Sequence, residues 1–115
     1  MVTYQWNIFW ANLNPVRGSE QSGKRPVLII SVEEINQTLP IVSVLPITST
    51  KPGRTIYPTE IFLSKEATGL PNDSIAMVHQ VRTISKKRLG ECCGKVEKPE
   101  LQKKIKRALK LYFGL

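Results

Sequence analysis

Apolar positions along this chain fall into short runs divided by turn formers, and only the last stretch repeats with a helical period. Asn7 to Asn12 carries Ile8, Phe9, Trp10 and Ala11, which suits a buried strand. The next segment, Asn14 to Lys24 (NPVRGSEQSGK), is rich in turn formers and polar groups and predicts a hairpin loop. It is longer than a chain reversal needs, a property common in loops that bind or cover something. Pro26 to Val32 (PVLIISV) is apolar and β-branched on both faces, as a central barrel strand would be. Leu39 to Ser49 (LPIVSVLPITS) is a second such run, but Pro40 and Pro46 cannot donate to a ladder, so it must bend, bulge or lie at an edge.

Glu33 and Glu34 between these runs read as a solvated turn, and Lys51 to Arg54 (KPGR) as another. Tyr57 to Leu63 alternates, with Tyr57, Thr59, Ile61 and Leu63 on one side. Ser64 then predicts the N-cap of one short helical turn ending near Gly69. Ser74 to Ile84 (SIAMVHQVRTI) predicts a fifth strand, and Ser85 a cap for a short basic turn over Lys86 to Leu89. Leu101, Ile105, Ala108, Leu109 and Tyr112 share one face of a final helix, with Pro99 in its first turn. Tyr112 and Phe113 are expected to anchor that helix, and Trp6, Phe9 and Trp10 to lie in the core or at a dimer interface. The whole predicts a mainly β chain with some α, a small bent antiparallel sheet closed by a C-terminal helix.

A length of 115 residues allows a single domain over 1–115. With 41% apolar and 23% charged residues the chain is globular rather than disordered. Its apolar runs fall far short of the ~20 residues a membrane span needs, and Met1 to Trp10 has no secretory-signal pattern. Cys92 and Cys93 are adjacent, which suits neither an unstrained disulfide nor a zinc site, and points to a reduced cytoplasmic chain. The net charge of +8 changes the picture more, because it invites a polyanionic partner, most simply nucleic acid. From Glu97 onward six bases stand against two acids, as a solvated helix face or as a phosphate-binding surface.

Candidate chemistry is sparse. There is no Gly-rich phosphate loop ending in Lys-Ser or Lys-Thr, one histidine (His79), and no carboxylate cluster at ligand spacing, so neither a P-loop hydrolase nor a two-metal nuclease is indicated. What remains is Arg25, where the polar loop enters a hydrophobic strand, and Thr48, where the next apolar run ends. In a curled sheet these strand ends become neighbours, and an arginine there would hold a phosphate bidentately. The plain alternative is a strand-edge arginine in a surface ion pair.

Read in order, several blocks resemble the MazF/PemK (Kid) family of toxin ribonucleases: Asn7-Ile8-Phe9-Trp10-Ala11-Asn12-Leu13-Asn14-Pro15, Gly18-Ser19-Glu20-Gln21, Arg25-Pro26-Val27-Leu28-Ile29-Ile30-Ser31, Leu45-Pro46-Ile47-Thr48, Gly69-Leu70, Asp73-Ser74, Gln80-Val81-Arg82-Thr83-Ile84 and Arg88-Leu89. The resemblance implies an SH3-like antiparallel barrel with a C-terminal helix and short connecting helices. It implies a homodimeric toxin that cuts single-stranded RNA by attack of the RNA's own 2′-hydroxyl, with no cofactor and no metal. It also implies a cognate antitoxin, acidic and partly disordered, bound through charge complementarity.

Mapped by motif, Arg25 and Thr48 would act at the scissile phosphate. Ser19, Glu20 and Gln21 would lie on the loop covering it, and Ser74, Gln80 and Arg82 would help bind RNA. Arg25 suits a clamp better than a proton acceptor, since guanidinium stays protonated. Glu20 is one candidate base. His79 is the other, standing where family members often carry Asp or Glu, and imidazole suits proton transfer at neutral pH. Strand alternation would put His79 on the face of Ile75, Met77 and Val81, away from Ser74, Gln80 and Arg82. Two other functions fit a basic chain of this kind: a gyrase poison of the CcdB type, with the same fold, and an RNA-binding module without catalysis.

Overall fold

A computed structural model describes residues 2–115. In chain order the strands are β1 (Asn7–Asn12), β2 (Lys24–Ile29), β3 (Ile41–Ser49), β4 (Glu60–Leu63), β5 (Ser74–Met77), β6 (Arg82–Ser85) and β7 (Leu89–Lys95). Two short helices, α1 (Glu33–Thr38) and α2 (Lys65–Thr68), interrupt them, and α3 (Pro99–Phe113) ends the chain. Pairing is antiparallel throughout, in the order β4-β5-β3-β2-β1-β7, with β6 also on β3. The result is the small antiparallel barrel expected of the MazF/PemK type, with its C-terminal helix and short connecting helices.

β3 organises the sheet because it changes partner along its length. Ile41 to Val44 pair with β6, and Ile47 to Ser49 pair with β5. Pro46, which has no N–H to give, falls between the two partners, so a proline is tolerated inside a buried strand. The predicted single strand over Ser74 to Ile84 is therefore two strands. From Ile47 to Val44 is three residues on β3, but from Ala76 to Arg82 is six on the other side. A 3₁₀ turn over Val78–Gln80 absorbs the surplus.

Both faces of the sheet are buried, which explains the continuous apolar runs. On one face Ile8, Leu28, Leu45, Leu63 and Val78 pack with Ile105 and Ala108 of α3. On the other, Phe9, Ala11, Leu13, Val27, Ile29, Val42, Val44 and Ile84 form a second cluster. Ser64 caps α2 by accepting from Ala67 N, and Gly69 ends it with φ 83°, as expected from the sequence.

Other expectations need correction. Glu33 and Glu34 begin helix α1, which has no apolar period to betray it. It is held by polar groups: the Glu33 carboxylate accepts from Tyr4 N and Gln5 N, and buried Asn36 donates to Ser31 O. Tyr57 to Thr59 lie outside β4, and β7 is a strand that no alternation announced. Trp10 is 45% exposed, which removes the core from its two expected places and leaves an interface between copies. Tyr112 and Phe113 do not anchor α3; they are 45% and 55% exposed and stack edge to face on each other. Cys92 and Cys93 are free thiols. Among the described residues no helix is long and apolar enough to cross a membrane.

Candidate active site

The Arg25–Thr48 neighbourhood follows from the β2–β3 register. The β2–β3 ladder ends at Val27 opposite Pro46, and the same register carried two residues further would bring Arg25 opposite Thr48. Arg25 Nη1 lies 3.5 Å from Ile47 O, and its Nε donates to Ser22 O at 2.9 Å. Both side chains are half-buried. They continue the face of the second hydrophobic cluster beyond its last apolar residue, and Arg82, opposite Val44, joins that face from β6. Among the described residues the ion pairs are Arg54–Glu60 and Lys95–Glu97, so the surface ion pair considered for Arg25 is absent. A half-buried guanidinium without a carboxylate partner is a ready anion site.

Above this polar end lies the long β1–β2 loop, and its attachment is specific. The Gln80 amide clamps loop backbone at two points, accepting from Gln21 N at 3.3 Å and donating to Ser19 O at 3.2 Å. Arg82 donates to Leu13 O at 3.2 Å. Arg88, which sequence reasoning cited only as part of a motif, donates through Nη1 to Asn12 O at 3.2 Å and Asn14 O at 2.6 Å. Gln80 and Arg82 thus serve as loop anchors in this state. Within the loop the Glu20 carboxylate accepts from Arg17 N, and Ser19 and Glu20 are exposed.

Two of the expected site residues stand apart. Ser74 is 4% exposed and its hydroxyl donates to Asn72 O, so it does not share an open surface with Gln80 and Arg82. His79 turns away from the loop that its neighbour Gln80 holds, and its Nδ1 lies 3.0 Å from Thr59 Oγ1. The 3₁₀ turn replaces strict alternation, yet the two side chains still diverge.

His79 adjoins a second polar cluster at the start of β4. There Arg54 donates to both oxygens of Glu60, at 3.1 and 2.9 Å, and Tyr57 N donates at 3.2 Å. The hydrogen bonds from Arg54 lead in holding the Glu60 carboxyl below the usual carboxylate range, against the opposing effect of burial. Among the described residues no group of three or more His, Cys, Asp or Glu side chains converges as metal ligands would.

The chain as a whole is similar to known proteins along nearly its entire length. The PemK-like, MazF-like toxin of type II toxin–antitoxin systems matches residues 4–113 of this chain. The endoribonuclease MazF9 of Mycobacterium tuberculosis (strain ATCC 25618 / H37Rv) is 34% identical over 113 residues, covering 94% of this chain and 93% of its own. Among solved structures, the Mycobacterium tuberculosis toxin MazF-mt6 superposes with a TM-score of 0.76 at 28% identity, over 95% of this chain and 97% of its own. A mycobacterial endoribonuclease in complex with its cognate antitoxin reaches 0.77 at 25% identity, over 99% and 97% of the two chains. The chain belongs to the MazF/PemK family of toxins.

Proposed function

We propose that the protein is a metal-independent endoribonuclease that cuts single-stranded RNA at a short sequence, mRNA above all, and so halts translation as the toxin of a toxin–antitoxin pair. What supports this reading is the Arg25 guanidinium, half-buried, free of any carboxylate, 3.5 Å from the carbonyl of Ile47 next to Thr48, and bonded to Ser22 O of the β1–β2 loop. The RNA supplies its own nucleophile. The 2′-oxygen attacks the adjacent phosphorus, the bond to the 5′-oxygen breaks, and a 2′,3′-cyclic phosphate and a 5′-hydroxyl result. Arg25 bridges the non-bridging oxygens as charge grows on them, and Thr48 hydrogen-bonds the same group. Glu20 takes the 2′-hydroxyl proton, since it rides on the covering loop, whereas His79 is engaged with Thr59. The leaving 5′-oxygen is protonated from solvent.

Two copies would line one RNA path, as the family likeness suggests, and exposed Ile35, Leu39 and Ile41 offer apolar surface to a second copy. An acidic antitoxin segment suits a chain of net charge +8, and a mycobacterial relative is solved with its cognate antitoxin. The decisive test incubates pure protein with long single-stranded RNA in EDTA and maps fragment ends, with Arg25→Ala beside it. Discrete cuts at one short sequence, reduced at least a hundredfold in the variant, are expected. Intact RNA from the unaltered protein would overturn the reading, and inhibition of DNA supercoiling would replace it with a gyrase poison.

A further inference from the structure

The hairpin formed by β1 and β2 has a second functional-looking face, opposite the one that carries Arg25. Trp10 stands across from Pro26, and Asn12 across from Lys24, so Trp10, Asn12 and Lys24 alternate away from Arg25. A cleft of about 290 Å³ opens there, walled by Trp10, Asn12 and Lys24 on the hairpin and by Arg88, Leu89 and Gly90 on the other side. Trp10 is an indole between two buried residues, Phe9 and Ala11, yet itself lies open.

The cleft is built by an irregularity in the ladder. Phe9 pairs with Cys92 and Ala11 with Leu89, so three steps on β7 face two on β1, and the surplus residue falls opposite Trp10. Bulges of this kind concentrate at sheet edges, at barrel rims and next to active sites, where they re-aim a side chain or end the pairing. Gly90 sits at the bulge, where a Cβ would come within 3.6 Å of Trp10 Cβ. Lacking one, it keeps the wall of the cleft low beside the base of the Trp10 side chain.

The lining chemistry is one-sided. Lys24 and Arg88 bring two cations and no carboxylate lines the cleft; Glu91 follows Gly90 but is not part of the wall. Arg88 is pre-oriented, since Nη1 is held by Asn12 O and Asn14 O while Nε and Nη2 remain to meet an anion. Asn12 Oδ1 accepts from Asn14 N, which leaves the amide N–H groups for a base edge. An aromatic face, an amide and two flanking cations without an acid are the parts of a single-stranded nucleotide subsite: the base stacks and the phosphates pair with the bases at either side.

We propose that this cleft binds one nucleotide of the RNA strand flanking the cleaved step, with its base on Trp10 and its phosphates on Lys24 and Arg88. The proposal rests on the ribonuclease reading above. Lys24 and Arg25 are consecutive in β2 and point to opposite faces, so the strand reaches the subsite by passing over the mouth of the hairpin.

The test uses an RNA carrying the mapped cut sequence, with a 2′-deoxy sugar at the cleaved nucleotide so that it binds without reacting. In a Trp6→Phe protein Trp10 is the only tryptophan, and its emission is expected to fall as the RNA binds. Trp10→Ala and Gly90→Val, which removes the platform or fills the cleft beside it, should each weaken binding about tenfold. Lys24→Ala should reduce the slope of log affinity against log salt by about one. Cleavage by the unaltered protein, together with unquenched Trp10 and unchanged affinity in both variants, would overturn this subsite alone. No cleavage and no RNA binding by the unaltered protein would overturn both readings. Dissociation of a dimer by Trp10→Ala would overturn the proposal by placing the indole between two copies.

Discussion

Gly94 shows how much a single residue's environment, invisible in its letter, governs what can stand there. It lies in β7 against the end of α2, and a Cβ would come within 2.7 Å of Thr68 O, a backbone atom that cannot step aside. Gly90, four positions earlier in the same strand, meets nothing closer than 3.5 Å. Gly94→Ala should therefore cost about 1–3 kcal/mol of stability, while Gly90→Ala should stay within about 0.5 kcal/mol; urea midpoints of the two variants measure the contrast, and equal midpoints would refute it. Arg25 is the converse case. Its letter and position already suggested an anion clamp, but the suggestion competed with a surface ion pair until the charged groups were located. Trp10, expected in the core or at a dimer interface, lies open in the single chain although its neighbours Phe9 and Ala11 are buried, and the surplus residue of β7 stands opposite it.

Among the elements, the β1–β2 loop was readable as long and polar, but not its anchoring. Gln80 is 59 residues from Gln21 in sequence, and their hydrogen bond exists because the 3₁₀ turn after β5 brings the amide beneath the loop. Removing that amide in Gln80→Ala should leave global unfolding nearly unchanged. The Gln21 backbone amide should then exchange with solvent roughly fivefold faster, the loss of about one hydrogen bond's worth of local stability. Exchange unchanged at Gln21 would show that Gln80 does not hold the loop. The same scale explains the missed elements. α1 is kept by Glu33 and Asn36 rather than by an apolar stripe, and β7 (LGECCGK) has glycines and thiols where a strand usually shows β-branched residues. α3, in contrast, was legible at once, because Ile105 and Ala108 repeat with the period of the face they bury.

For the whole molecule, long-range polar ties set the acid limb of stability. Burial acts to raise the Glu33 carboxyl, but donations from Gln5 N, Gln37, Tyr4 N and Asn36 outweigh it and hold the group below its ordinary range. Glu60 is held low chiefly by Arg54. A carboxylate lower in the folded chain than in the unfolded one stabilises above its unfolded pKa of about 4.3. That contribution fades as pH falls through the folded value. The melting temperature should therefore be level above about pH 5 and drop below it, and Glu60→Gln should start lower but lose less between pH 5 and 3; an unaltered acid slope in that variant would contradict the assignment. The run of apolar and β-branched letters, the helical period at the end, the excess of bases and the order of short motifs determined by themselves that this is a small basic antiparallel barrel of the MazF/PemK kind. Those signals are local, or add along the chain, so they survive without coordinates. Only the tertiary structure decided that β3 serves two partners across Pro46, that His79 turns to Thr59 while Gln80 turns to the loop, and that the surplus residue of β7 stands opposite Trp10. Each depends on register between distant strands, where a shift of a single residue exchanges the faces and no short stretch of sequence records the choice.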